Sequence, residues 1–244
     1  MSAIQTVNLT KRFKDKTVVN RLNLSIEQGE LYALLGVNGA GKTTTIKMLS
    51  CLISPTSGDA VLLGDSIVAK PHMVKEKINV SPQETAVARN LSVKENLELI
   101  AGIYGSNKKD AQLKADEMIS TFSLTEVAKD KAKTLSGGTQ RRLSIAMALI
   151  SNPQILFLDE PTLGLDVLAR RELWATIKNL KGKITIILTT HYMEEAQALS
   201  DRIGIMSKGE LKAVGTADEL ISKTGAQTFE DAFVMLATEC EVKV

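Results

Sequence analysis

The stretch that most restricts the fold lies between Leu31 and Leu52. Leu31-Tyr32-Ala33-Leu34-Leu35 is an uninterrupted apolar run, the pattern of a short strand buried on both faces. Gly36-Val37-Asn38-Gly39-Ala40-Gly41-Lys42-Thr43 follows directly and satisfies every constrained position of G-x-x-x-x-G-K-[ST]. Thr44 to Leu52 then reads as a helix. A strand that turns through glycines into a helix points to an α/β domain, because the helix must pack back onto the sheet. Each position in the loop has a task. Gly36, Gly39 and Gly41, with Asn38 and Ala40 between them, let the backbone curl so that successive N–H groups point at phosphate oxygens. Lys42 brings a positive charge to the β/γ-phosphates and Thr43 a hydroxyl for Mg²⁺. Thr44 lies in the first turn of a helix whose positive end faces the anion. The pattern implies a nucleoside triphosphate site.

The 244 residues suffice for one large α/β domain or one domain with an inserted lobe. A hydrophobic content of 44% supplies a core, while a net charge of +2 without long basic runs gives no electrostatic reason to expect nucleic acid. Cys51 and Cys240 lie far apart and form no metal-type spacing, so they read as reduced thiols. Met1-Ser2-Ala3-Ile4-Gln5 lacks the charged-then-apolar order of a secretion signal, and no apolar run is long enough to cross a membrane. The expectation is a cytoplasmic chain; any membrane process it serves needs another chain to do the spanning.

Ahead of the loop, Val18-Val19 and Leu22-Asn23-Leu24-Ser25-Ile26 alternate with charged turns, as antiparallel strands do. Pro55 to Gly58 reads as a turn and Val61-Leu62-Leu63 as a strand. From about Leu91 to Lys133 the texture becomes charged and helix-forming. Ser92 and Glu95 make a capping box, and a second helix spans Ala111 to Phe122. This segment reads as a helical lobe, about 91–133, inserted into a nucleotide-binding core of 1–90 and 134–244. Ile155-Leu156-Phe157-Leu158 and Ile184-Thr185-Ile186-Ile187-Leu188 are further buried strands. Phe229, Phe233 and Leu236 share one face of a last helix and are assigned to packing on the body; Trp174 is assigned to the core and His72 to the surface.

Two more patterns carry chemistry. In Leu135-Ser136-Gly137-Gly138-Thr139-Gln140-Arg141-Arg142-Leu143, a serine and two glycines open a helix that Pro153 helps to stop, a second ready-made anion site. The strand ending in Asp159-Glu160 places two carboxylates on opposite sides of the chain, since side chains alternate along a strand. Asp159 suits Mg²⁺ and Glu160 suits an attacking water.

With these motifs in this order, the chain resembles the ATP-binding subunit of an ABC transporter from about Ile4 to Leu236. Leu-Ser-Gly-Gly is that family's diagnostic signature. The resemblance implies a P-loop NTPase core with a mainly parallel sheet, an N-terminal antiparallel β subdomain and an inserted α-helical subdomain. It further implies roles for individual residues. Gln83 corresponds to the glutamine that reaches Mg²⁺ and the γ-phosphate, Asp166 in Gly164-Leu165-Asp166 to the D-loop, and His191 to the switch histidine at the γ-phosphate. Phe13 corresponds to the aromatic that stacks on adenine, with Val18 as a second wall. Thr139 stands where glutamine commonly follows the second glycine, Leu163 where serine is frequent, and Val167 where proline often follows. None of these departures removes a group that binds phosphate or positions water.

Family members hold each ATP between the P-loop of one subunit and the signature of the other, so the resemblance implies a head-to-tail dimer, here of identical chains, closing on two ATP. It implies Mg²⁺ as cofactor, an integral membrane permease as partner, and a peripheral location on the inner face of the cell membrane. Thr139-Gln140-Arg141-Arg142-Leu143, His191-Tyr192-Met193-Glu194-Glu195-Ala196 and Thr228-Phe229-Glu230-Asp231 resemble the branch serving drug, antibiotic, lipid or polysaccharide exporters. The alternatives are an importer ATPase, or a soluble ABC ATPase acting on ribosomes or DNA. The latter type usually carries two ATP-binding domains or a long coiled coil, and this chain has one P-loop. A non-hydrolysing regulator is disfavoured because Asp159, Glu160 and His191 are all present.

Overall fold

The computed structural model describes residues 2–238, so Cys240 lies outside the described residues. The chain opens with β1 (Ser2–Phe13) and β2 (Lys16–Glu27), which pair antiparallel. β3 (Leu31–Leu35) leads through the glycine loop into α1 (Lys42–Leu49). The helix ends short of the expected Leu52 because Cys51 takes a left-handed φ of 56°. β4 (Ser57–Leu62) begins inside the expected Pro55–Gly58 turn, with Ser57 paired to Thr10. It stops before Leu63, whose φ is 48°, in the turn to β5 (Asp65–Ser66). A sheet in the order β2-β1-β4-β5 results.

After α2 (Pro71–Lys75) and β6 (Ile78–Ser81) comes a helical stretch, α3 (Val93–Ile103) and α4 (Lys108–Thr121). Ser92 and Glu95 form the capping box at the start of α3. α4 begins three residues earlier than its apolar pattern suggested, since Asn107 accepts the N–H of Asp110 and caps it. The chain continues through α5 (Gly137–Leu149), β7 (Ile155–Asp159), α6 (Val167–Lys178), β8 (Thr185–Thr190) and α7 (Met193–Leu199). It closes with β9 (Arg202–Ser207), β10 (Glu210–Gly215), α8 (Ala217–Thr224) and α9 (Phe229–Thr238).

The second sheet runs β10-β9-β3-β8-β7-β6. Its five strands from β9 to β6 are parallel, and only β10 joins antiparallel. β3, β7 and β8 are buried at every residue, as strands covered on both faces must be. Alternation splits β3 between two cores. Leu31, Ala33 and Leu35 join a cluster with Leu97, Phe122 and Leu143 of the helical stretch and α5. Tyr32 and Leu34 face the antiparallel sheet, with Ile4, Leu22 and Ile26. Phe229, Phe233 and Leu236 of α9 join the first cluster. Trp174, expected in the core, is only half-buried: it packs against that cluster and its indole N–H donates to Glu195 on α7. His72 is exposed.

Candidate functional site

Parallel strands bring their C-terminal ends to one edge, where open α/β sheets hold ligands. Register does the placing here. Leu35 pairs with Thr190, Asp159 with Thr189, and Ser81 with Leu158. The residues just beyond these ends, Gly36, His191, Glu160 and Gln83, therefore fall along one edge. A cleft of about 380 Å³ opens there, lined by Val18, residues 38–44, Gln83, Glu160, Leu163 and His191.

The loop is built for a close backbone approach. Gly41 has φ 104°, and a Cβ there would lie 2.6 Å from the Val18 carbonyl oxygen. A Cβ on Gly36 would meet the Met206 carbonyl at 2.3 Å, so the strand can turn only at glycine. Lys42 is almost wholly buried and donates to the carbonyls of Gly36 (2.7 Å) and Val37 (3.2 Å). Its Nζ also lies 3.6 Å from Glu160 Oε1. Burial holds the ammonium below its ordinary pKa, and the Glu160 carboxylate works against that shift.

Asp159 and Glu160 diverge. The Asp159 Oδ1 atom accepts from Thr43 Oγ1 at 3.1 Å and from Thr189 Oγ1 at 2.5 Å. Glu160 turns to the other side, with Oε2 3.3 Å from His191 Nδ1, within ion-pair reach but without hydrogen-bond geometry. The turn requires Glu160 to adopt φ 46°, an uncommon conformation for a non-glycine residue. Its N–H is held by the Thr189 carbonyl and hydroxyl, both at 3.1 Å. Thr189 thus orients both acidic residues. As one of three threonines in a buried strand, it gave no signal in the sequence.

Thr43 Oγ1 and Asp159 Oδ1 converge as a pair of hard oxygen donors, which suits Mg²⁺ shared with nucleotide phosphates. Among the described residues no cluster of three or more His, Cys, Asp or Glu could cage a metal alone, so most of the coordination would come from phosphate and water.

Other expected residues stand apart from this cleft. Ser136, Gly137 and Gly138 do not line it; they form an open end of α5 with Ser136 exposed. Ser136 Oγ accepts the Thr139 N–H at 3.2 Å and so caps the helix. A Cβ on Gly138 would press on Ala169 Cβ at 2.8 Å, so this glycine lets α5 approach α6. Asp166 is exposed and caps α6, accepting from Leu168 and Ala169 at 2.9 Å each. Phe13, 47% exposed, lies outside the cleft lining with Lys11 Nζ 5.0 Å from its ring centroid. Leu163 does line the cleft, although the sequence marked it only as a departure from a pattern.

The chain as a whole is similar to known proteins. A family model described as ABC transporter matches residues 19–163. The linearmycin resistance ATP-binding protein LnrL of Bacillus subtilis is 42% identical over 92% of this chain and 73% of its own length. The daunorubicin resistance ATP-binding protein DrrA3 of Streptomyces coeruleorubidus is 38% identical over 94% of this chain and 73% of its own. Among solved structures, the dimeric post-hydrolysis state of the ATP-binding cassette MJ0796, bound to ADP and Pi, superposes with a TM-score of 0.79. It is 27% identical and covers 87% of this chain and 98% of that one.

Proposed function

The chain belongs to the ABC transporter family of ATP-binding domains, and on that footing we propose that it is the ATP-hydrolysing subunit of an exporter, working as a head-to-tail pair of identical chains. One observation carries the pairing. The cleft holds a phosphate loop, two acidic residues and a histidine, while the second anion site, at Ser136, faces outward on another part of the surface. A two-fold axis would let each cleft meet the partner's Ser136 end, closing two composite sites at once.

In this reading the loop from Gly36 to Thr44 wraps the phosphates with backbone N–H groups, and Lys42 exchanges its Glu160 contact for the β/γ-phosphates. Phe13 and Val18 flank adenine. Glu160 accepts a proton from the attacking water, and His191, beside it, holds the γ-phosphate end together with Gln83. Thr43, Asp159 and Gln83 would hold Mg²⁺, which draws charge off the phosphates when bound. Ser136, Gly137 and Gly138 complete the partner's site, with Asp166 at the seam. Bound ATP favours the closed pair and loss of the γ-phosphate releases it.

Among the described residues no helix is long and apolar enough to cross a membrane. In this reading the transport path belongs to a separate membrane permease, with this subunit at the inner face of the cell membrane. Residues 91–133 would act as the helical subdomain that transmits the stroke, and the remainder as the nucleotide core. Export as the direction rests on kinship with proteins named for drug resistance.

Glu160→Gln tests the assignment. We expect retained ATP binding, turnover reduced by about a hundredfold or more, and a dimer that appears only with ATP in size-exclusion chromatography with light scattering. Brisk hydrolysis by this variant, or a monomer at saturating ATP, would refute the roles given to Glu160 and the paired site.

A further inference from the structure

Arg141 lies in the second turn of α5 and is 4% exposed. Burying a guanidinium is costly unless its donors are satisfied. Among the described residues Arg141 has no carboxylate within ion-pair distance; its bonds all go to backbone carbonyls. Nε donates to Pro161 O at 2.9 Å and Nη2 to Asp159 O at 2.9 Å. Nη1 donates to Pro82 O, with Gln83 O at 3.4 Å. The charge survives at neutral pH, since burial lowers its pKa only to about 10.

These carbonyls belong to two separate segments of the cleft. Pro82 and Gln83 form the exit from β6, and Asp159 and Pro161 bracket Glu160. The helix carrying Arg141 begins at Gly137 and is capped by Ser136, so only about 6 Å of axial rise separates the Cα of Arg141 from the start of the helix at the second anion site. A planar fork with several fixed donors can hold such a set in one geometry; an ammonium would not.

We propose that Arg141 is a positioning residue that couples the two ATP sites of the pair. It ties the helix end offered to the partner's nucleotide to the Gln83 and Glu160 backbone serving the chain's own nucleotide. This rests on the paired reading above. Closure of the partner's ATP on Ser136 thereby sets Gln83 and Glu160 in the neighbouring site.

The test uses the full-length chain with Arg141→Gln and Arg141→Ala. Binding of a fluorescent ATP analogue to the phosphate loop should stay within about threefold of the unsubstituted protein. Turnover should fall at least about tenfold in kcat with little change in KM, and the Hill coefficient for ATP should drop toward about 1. Amide hydrogen exchange should accelerate at residues 83–88 and 160–166 while β3 and β8 keep their protection. Millimolar guanidinium, but not equal sodium chloride, should restore turnover to Arg141→Ala. Unchanged kcat and cooperativity in Arg141→Gln overturn the proposal. So does exchange that rises throughout the fold without guanidinium rescue, the mark of a purely structural residue. If the unsubstituted protein shows no turnover, the paired-ATPase reading fails; the exchange comparison then decides the clamp alone, and no local change in it overturns the clamp.

Discussion

Glu195 carries a carboxylate where the fold leaves little to satisfy it. It is fully buried on α7, where Oε1 accepts the Trp174 indole N–H at 3.2 Å and Oε2 has no partner at hydrogen-bond geometry. Burial pushes its carboxyl above the ordinary 4.5, against the pull of the nearby Thr190 and Thr162 hydroxyls and the Trp174 indole. The sign of the linkage follows. Between 4.5 and the raised value the folded chain holds a proton that the unfolded chain has lost, so stability falls as pH rises through that window and stays lower above it. Glu195→Gln keeps an acceptor for Trp174 and removes the charge. It should melt above the unsubstituted protein at about pH 8, with the gap closing as acidification protonates Glu195. Parallel melting curves across that range, or a lower melting temperature at every pH, would contradict this account. Glu195 could be seen in the sequence only as one residue of an exporter-like stretch; its burial became evident once α7 was packed against α6 and β8.

Elements, by contrast, were mostly readable from local pattern. The capping box at Ser92 and the apolar runs of β3, β7 and β8 announced themselves, because their signals sit within a few neighbouring residues. Where the reading overran the end of an element, a backbone turn was the cause; α4 instead started early, at its Asn107 cap. The left-handed φ at Cys51 and Leu63 ended an element that apolar content alone would have extended. The last helix was read for packing, and α9 buries Phe229, Phe233 and Leu236 against the body. Phe233→Ala should therefore cost about 3 kcal/mol in chemical denaturation and leave ATP affinity at 25 °C unchanged. A loss within about 0.5 kcal/mol would instead mark that face as available to another molecule.

At the scale of the whole molecule the question is what the cleft drives. If the subunit powers an exporter, gentle extraction from its native membranes should recover it with a membrane protein of several spanning helices, identified by mass spectrometry. Recovery with ribosomes or nucleic acid, or alone, would remove the transport reading and leave an ATP-driven switch. The loop and signature motifs, the α/β class and the family likeness were legible in the residues themselves, since each is written in short, contiguous spacing. Tertiary structure decided the rest. Thr43 and Asp159 meet across 116 residues, and Thr189, Arg141 and Glu195 gain their partners from strand register and helix packing. The outward turn of Ser136, away from the cleft in its own chain, also belongs to the fold. Local motifs specify chemistry at one point; only long-range pairing determines which points come together.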